Sequence, residues 1–325
     1  MPKSAYSSQN ANLDVLRSIA VLTVVFYHGL QMYATETRSM FKWGHYGVLV
    51  FFVHTSLVLL MSLDRFAMHS PHIALRFYVQ RAFRIYPLSV LCVLTVFFFH
   101  VPCAHYDQYA QPSAATVISN LLLIQNFGFA SVSGPLWSLP YEVQMYLMLP
   151  FIYFLLQRFP SRRMMSLLVV LSVLLGCLRL VSPVGNIVQY VPCFMGGVLA
   201  FWLRSHQKAI LPASLWPFVV LALGWLYSQA LFPGASFATC LILGSVTGLF
   251  RELQPSFLTV LAHGIAKYSY GVYLAHIPLY WLYFYKLPIQ LQAEKWALFL
   301  VFLIVVPVIL FHAIELPLIR FGKKF

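Results

Sequence analysis

The sequence predicts an all-α integral membrane protein, a bundle of about ten transmembrane helices, and three observations carry that expectation. Hydrophobic residues make up 61% of the 325 positions and charged residues only 9%, with a mean hydropathy of +0.79; soluble domains carry about 25% charged residues. The apolar residues fall in runs near the length of about 20 residues that a helix needs to cross a bilayer. Lys and Arg fall between those runs with a marked bias to one side.

The expected crossings are 13–33, 44–63, 81–101, 137–157, 164–181, 186–204, 212–231, 235–250, 268–285 and 296–319. Each is expected to be helical, because in lipid every backbone N–H and C=O must find a partner within its own segment, and barrel-type alternation is missing. The stretch 114–129, "AATVISNLLLIQNFGF", is only 16 residues long and holds Asn120, Gln125 and Asn126. It is read as a re-entrant or interfacial helix rather than an eleventh crossing.

The basic residues test that count. With the N-terminus in the cytoplasm, sixteen of the 21 Lys and Arg fall inside, and five (Arg38, Lys42, Arg179, Lys286, Lys295) fall outside. An eleventh crossing at 114–129 would move Arg158, Arg162 and Arg163 to the outer side, against the positive-inside bias. Both termini are therefore expected in the cytoplasm.

Residues 1–325 are expected to form one transmembrane domain, with no appended soluble domain and no removable signal peptide. The net charge of +13 is spread among apolar segments rather than gathered with aromatics, so nucleic acid is not an expected partner. Five cysteines without a C-x-x-C pair read as small hydrophobes. His69 with His72, and His100 with His105, lack an acid or thiolate at ligand spacing, so no metal is expected. No internal repeat of the transporter kind is visible.

The first crossing holds the sharpest chemistry. Arg17 and His28 are eleven positions apart, a net rotation of about 20° and a rise of about 16 Å on a helix, so they share one face three turns apart. Arg17 alone reads equally as a snorkelling anchor. His28 alone reads also as a helix–helix hydrogen-bond partner. Together on one face, deep in an apolar segment, they point to a bundle interior or wet cavity, where a neutral imidazole can accept a proton. Arg81 and Arg84, three apart at the expected start of the third crossing, share a face; they suit either positive-inside anchoring or phosphate oxygens. Glu142 follows Ser138 by four positions at the expected outer start of the fourth, and an acid at that depth marks a candidate site. His312 and Glu315 are expected to pair with each other or with arginines. Tyr268, Ser269, Tyr270, Tyr273 and His276 are candidate pocket lining.

These residues sit in stretches that, taken in order, resemble the membrane-bound acyltransferase family 3. They are "NLDVLRSIAVLTVVFYHG" (12–29), "GVLVFFVHTS" (47–56), "FYVQRAFRIYPL" (77–88), "GPLWSLPYEVQMYLMLP" (134–150), "YSYGVYLAHIPL" (268–279) and "HAIELPLIRFGKK" (312–324). The resemblance implies a helical bundle that moves an acyl group, commonly acetyl, from cytoplasmic acyl-CoA to a hydroxyl of a glycan, lipid-linked glycan or related cell-envelope acceptor. It implicates Arg17 and His28 in catalysis, and its Arg-x-x-Arg favours Arg81 and Arg84 as holders of the coenzyme A phosphates. Two departures stand out. The second-helix motif usually ends Ser-Gly, whereas here Phe52 is followed by Val53, His54, Thr55, Ser56 and Leu57, and only Glu142 stands where two adjacent acids are frequent.

The expected enzyme is thus an acyl-CoA-dependent O-acyltransferase with acetyl-CoA as the leading donor and no metal. His28 serves as general base or acyl carrier, Arg17 and Glu142 complete the catalytic group, and a bacterial inner membrane is the expected location. The rival is a proton-coupled transporter using His28 and Glu142 as relay groups, which would move substrate without covalent change.

Overall fold

A computed structural model describes residues 10–31, 37–67, 73–103, 109–182 and 185–325. Among the described residues there is no strand, and the chain runs through thirteen α-helices. In order these are α1 (Ala11–Leu30), α2 (Arg38–Ala67), α3 (Ile73–Phe99), α4 (Ala114–Leu121), α5 (Leu139–Arg158), α6 (Arg162–Cys177) and α7 (Gly185–Val188). They continue as α8 (Val191–Leu203), α9 (Trp216–Gln229), α10 (Ala235–Thr247), α11 (Phe257–Trp281), α12 (Gln292–Leu310) and α13 (Leu316–Gly322). Seven helical stretches among the described residues are long and apolar enough to cross a membrane. α9 and α10, with 14 and 13 residues, rise only about 20 Å against a hydrocarbon core of about 30 Å.

Each of the ten expected segments is helical, with shifted ends. α3 begins at Ile73 rather than 81, and α11 at Phe257 rather than 268. A helix does not end where apolar character ends: Arg76 and Gln80 dilute the hydropathy of 73–80 without breaking an i to i−4 bond. Arg81 and Arg84 consequently lie two and three turns inside α3, not at its start.

The stretch 114–129 holds α4, eight residues long, which rises only about 12 Å. Leu123 takes a positive φ of 56° and Gly128 one of 111°, and both reverse the chain. The polar residues of this apolar stretch stitch the reversal. Asn120 Nδ2 donates to the carbonyls of Thr116 and Ala130, its Oδ1 accepts from the Val132 N–H, and Gln125 Nε2 donates to the Leu136 carbonyl. The prediction is that Ala110→Cys and Ala130→Cys, in a chain whose exposed Cys103 and Cys177 are replaced by Ser, react with an impermeant thiol reagent from the same side of the membrane. Labelling from opposite sides would demand an eleventh crossing.

The described chain divides into two compact units, Met1–Arg65 with Phe151–Ser269, and Phe66–Pro150 with Tyr270–Phe325. In the first, small residues let helices approach closely, the packing device that membrane interiors favour. A Cβ on Gly47 of α2 would meet the Ala20 carbonyl oxygen of α1 at 2.6 Å, and a Cβ on Gly244 of α10 would overlap the backbone of Gly196 in α8. The Ser56 hydroxyl of α2 donates to the Phe194 carbonyl of α8 at 2.8 Å. The N-terminus of α1 is capped by Asn10, whose side chain accepts from the Leu13 N–H. Buried Asn12 then donates to the Arg251 carbonyl and accepts from the Leu253 N–H.

In the second unit two prolines shape the late helices. Pro278 and Pro307 each lack an N–H, and each is followed four residues on by a π-helical turn, Leu282–Lys286 and Phe311–Glu315. Such turns shift the side chains beyond them around the helix. At the second, Glu315 is buried while the neighbouring His312 is exposed.

Candidate functional site

The first unit contains Arg17 and His28. α1 is unbroken from Ala11 to Leu30, so the two remain on one face with the rise of about 16 Å. Arg17 Nε donates to the Ser269 hydroxyl at 2.6 Å, and Ser269, fully buried on α11, donates in turn to the Ala266 carbonyl. One turn earlier, Asp14 accepts from His263 Nδ1 at 2.9 Å, and the buried Ser18 hydroxyl lies 2.8 Å from the Ala262 carbonyl. The polar face of α1 is thus laced to α11, and Arg17 is held in one orientation rather than snorkelling freely.

His28 is half-buried near the end of α1. Its Nδ1 lies 2.9 Å from the Val24 carbonyl. A carbonyl only accepts, so Nδ1 carries the proton and, in the neutral ring, Nε2 keeps its lone pair. That is the tautomer a general base requires.

His54, in the sequence only a departure from a motif, takes a defined place in the first unit. It lies on α2 seven positions after Gly47, two turns along the same face. Gly47 packs on Ala20 and Val24 of α1, and Gly44, earlier on α2, packs on Tyr27, later on α1. The two helices are therefore antiparallel, which brings His54 to the level of Arg17, its charged neighbour. His54 is buried, and its Nδ1 has no hydrogen-bond partner among the described residues. The available signal was an imidazole in an otherwise apolar run at helical spacing from a contact glycine.

The second unit contains Arg81, Arg84 and Glu142. Arg84 forms an ion pair with Glu315, which is almost wholly buried, and its guanidinium lies 5.9 Å from the Tyr270 ring centre. Of the two pairings expected for Glu315, the one with an arginine is formed. Arg81 lies over the ring of Phe77 at 5.9 Å, and buried Phe77 meets Tyr146 of α5 edge-on at 6.4 Å. Tyr146 donates its hydroxyl to Glu142 at 2.5 Å, and both Glu142 and Arg81 act electrostatically on Tyr146.

Arg81 was expected at the start of its crossing; the early start of α3 at Ile73 instead places it two turns inside that helix, at the level of Tyr146 in α5's second turn. The pair Arg81 and Arg84 is also less cationic than a sequence count implies, since one carboxylate engages Arg84 and another lies near Arg81. A guanidinium has five N–H donors, so Arg84 retains donor capacity beyond Glu315.

Ser138 and Tyr273 share a hydroxyl hydrogen bond of 2.8 Å, and the Tyr270 hydroxyl donates to the Ile85 carbonyl. His276 is fully buried, with Nδ1 3.2 Å from the Val272 carbonyl. The expected lining residues are therefore tied into helix contacts. Among the described residues no three His, Cys, Asp or Glu side chains gather as ion ligands; His69, His72 and His105 lie outside the described residues.

A family model for acyltransferase family 3, described as an acyltransferase domain, matches residues 10–314. No curated protein and no solved structure matches the chain.

Proposed function

The chain belongs to the acyltransferase family 3, a multi-pass membrane acyltransferase, and from that premise we propose that it transfers an acyl group, acetyl in the leading case, from cytoplasmic acyl-CoA to a hydroxyl of a glycan or lipid-linked glycan of the cell envelope. The observation that carries the reading is the His28 tautomer: Nδ1 donates to the Val24 carbonyl, which makes Nε2 the basic nitrogen of the neutral ring. His28 Nε2 takes the proton of the acceptor hydroxyl as its oxygen attacks the thioester carbonyl. The tetrahedral intermediate then expels the coenzyme A thiolate, and the imidazolium returns its proton to that sulfur. An ester forms, a thioester breaks, and no oxidant or metal enters the balance.

In the first unit, Arg17 is oriented by Ser269 and presents fixed positive charge on the helix face it shares with His28, with His54 as a second polar group beside it. In the second unit, Arg81 and Arg84 offer guanidinium N–H groups to the donor's phosphates, with the fork of Arg84 held by Glu315. Glu142, bonded to Tyr146, steadies Arg81. A bacterial inner membrane supplies both a cytoplasmic donor and an outward-facing acceptor.

The test is release of free coenzyme A thiol by the purified chain, given acetyl-CoA and a panel of glycans and lipid-linked sugars. Thiol release that requires one class of acceptor is the expected result. No release with any acceptor or acyl-CoA would remove the reading.

A further inference from the structure

The first unit holds a cavity of about 560 Å³ that the acyl-transfer chemistry does not use. It lies within the range of about 300–1,000 Å³ typical of small-molecule sites. Its walls are α6 and α8. These helices are antiparallel, because a Cβ on Gly176, near the end of α6, would meet Pro192, at the start of α8, at 2.7 Å.

That arrangement sorts the lining by polarity. Arg162 opens the cavity on α6, Ser166 follows one turn in, and Val169 and Val170 a turn beyond. On the other wall His206 and Gln207 stand at the Arg162 end, Trp202 one turn in, and Leu199 deepest. The cavity has a cationic mouth and an aliphatic throat, and among the described residues no acid lines it. Arg163, Arg204 and Lys208 flank the mouth in sequence, and all three are exposed.

Two further observations specify the occupant. The Trp202 indole N–H is buried without an acceptor among the described residues, and the ring over it, His206, is exposed and stacked at 4.1 Å. A swing of His206 therefore opens a neutral donor beside the cations, suited to a phosphate or ester oxygen. Beyond the throat, α6 turns Leu167, Leu171 and Leu174 outward, a surface for hydrocarbon. Basic pockets between transmembrane helices at the cytoplasmic surface suit anionic headgroups.

We propose that this cavity binds one anionic glycerophospholipid, with its phosphate at Arg162 and the Trp202 N–H and an acyl chain along Val169, Val170 and Leu199. A zwitterionic lipid presents the same phosphate but brings an ammonium toward four basic side chains. Inorganic phosphate meets the mouth and leaves the throat empty.

The test is native mass spectrometry of the full chain, titrated separately with phosphatidylglycerol, phosphatidylcholine and inorganic phosphate. Wild type is expected to retain one phosphatidylglycerol in preference to phosphatidylcholine and to bind no phosphate. Arg162→Gln and Trp202→Phe should each weaken phosphatidylglycerol about fivefold. Arg162 is exposed and the second change keeps an aromatic ring at a part-buried position, so both variants should fold. Equal retention of the two lipids, or titrations unchanged in both variants, would reduce the cavity to ordinary bilayer contact and overturn the proposal. Displacement of the lipid by acetyl-CoA would overturn it too, assigning the cavity to the donor nucleotide.

Discussion

His28→Ala is expected to lower acyl transfer about 10²- to 10⁴-fold, the range that a positioned general base supplies, while folded protein remains abundant. The structural cost is small. Val24 keeps its backbone bond within α1, and the side-chain hydrogen bond to its carbonyl, about 1 kcal/mol, is lost from a half-buried position. Activity and abundance should therefore separate. Radiolabel transfer per mole of folded protein, with folded protein counted by size-exclusion chromatography, checks this; equal losses in the two would make His28 a packing residue. Wild-type protein that kept an acyl group after denaturation, where His28→Ala kept none, would point to Nε2 as the acyl carrier rather than the base.

Arg84→Gln carries the second large effect, and it falls first on the fold. Glu315 is only 2% exposed and paired with Arg84; removing one member of a buried pair strands the other charge, at a cost of about 3–5 kcal/mol. The double variant Arg84→Gln with Glu315→Gln places two neutral amides there and should recover most of that loss. Thermal unfolding of the wild type, the single variant and the double variant measures it. The double variant also separates the two roles of Arg84. Should stability return while acetyl-CoA affinity stays weak, Arg84 touches the donor; should both return, the arginine serves the fold alone.

Much of the architecture was legible because a bilayer imposes simple rules. Ten apolar segments were readable as helices, and the shared face of Arg17 and His28 followed from the uninterrupted course of α1. The doubling back of 114–129 was foreshadowed by its length, and its polar residues now have a reason: Asn120 and Gln125 satisfy the backbone of the returning chain. Helix starts were less legible. Hydropathy reports where lipid ends, not where backbone hydrogen bonding ends, so α3 and α11 began well before their apolar windows.

The pairing of Arg84 with Glu315 lay further out of reach, since it joins residues far apart in sequence and depends on a π-helical turn. Pro307 was a visible warning of irregularity, but a proline alone does not say which side chain the turn will redirect. His54 was in view as a polar interruption of an apolar run, and it took its place beside Arg17 only when Gly47 fixed the crossing of α1 and α2.

The central claim is covalent transfer that depends on His28. Its most direct test places the full chain in proteoliposomes with acetyl-CoA labelled in the acetyl group on one side and a glycan acceptor on the other. The account predicts label in a base-labile ester on the acceptor, one free coenzyme A per ester formed, and neither in His28→Ala. Acceptor or donor crossing the bilayer unmodified, or ester formation at the wild-type rate in His28→Ala, would contradict it.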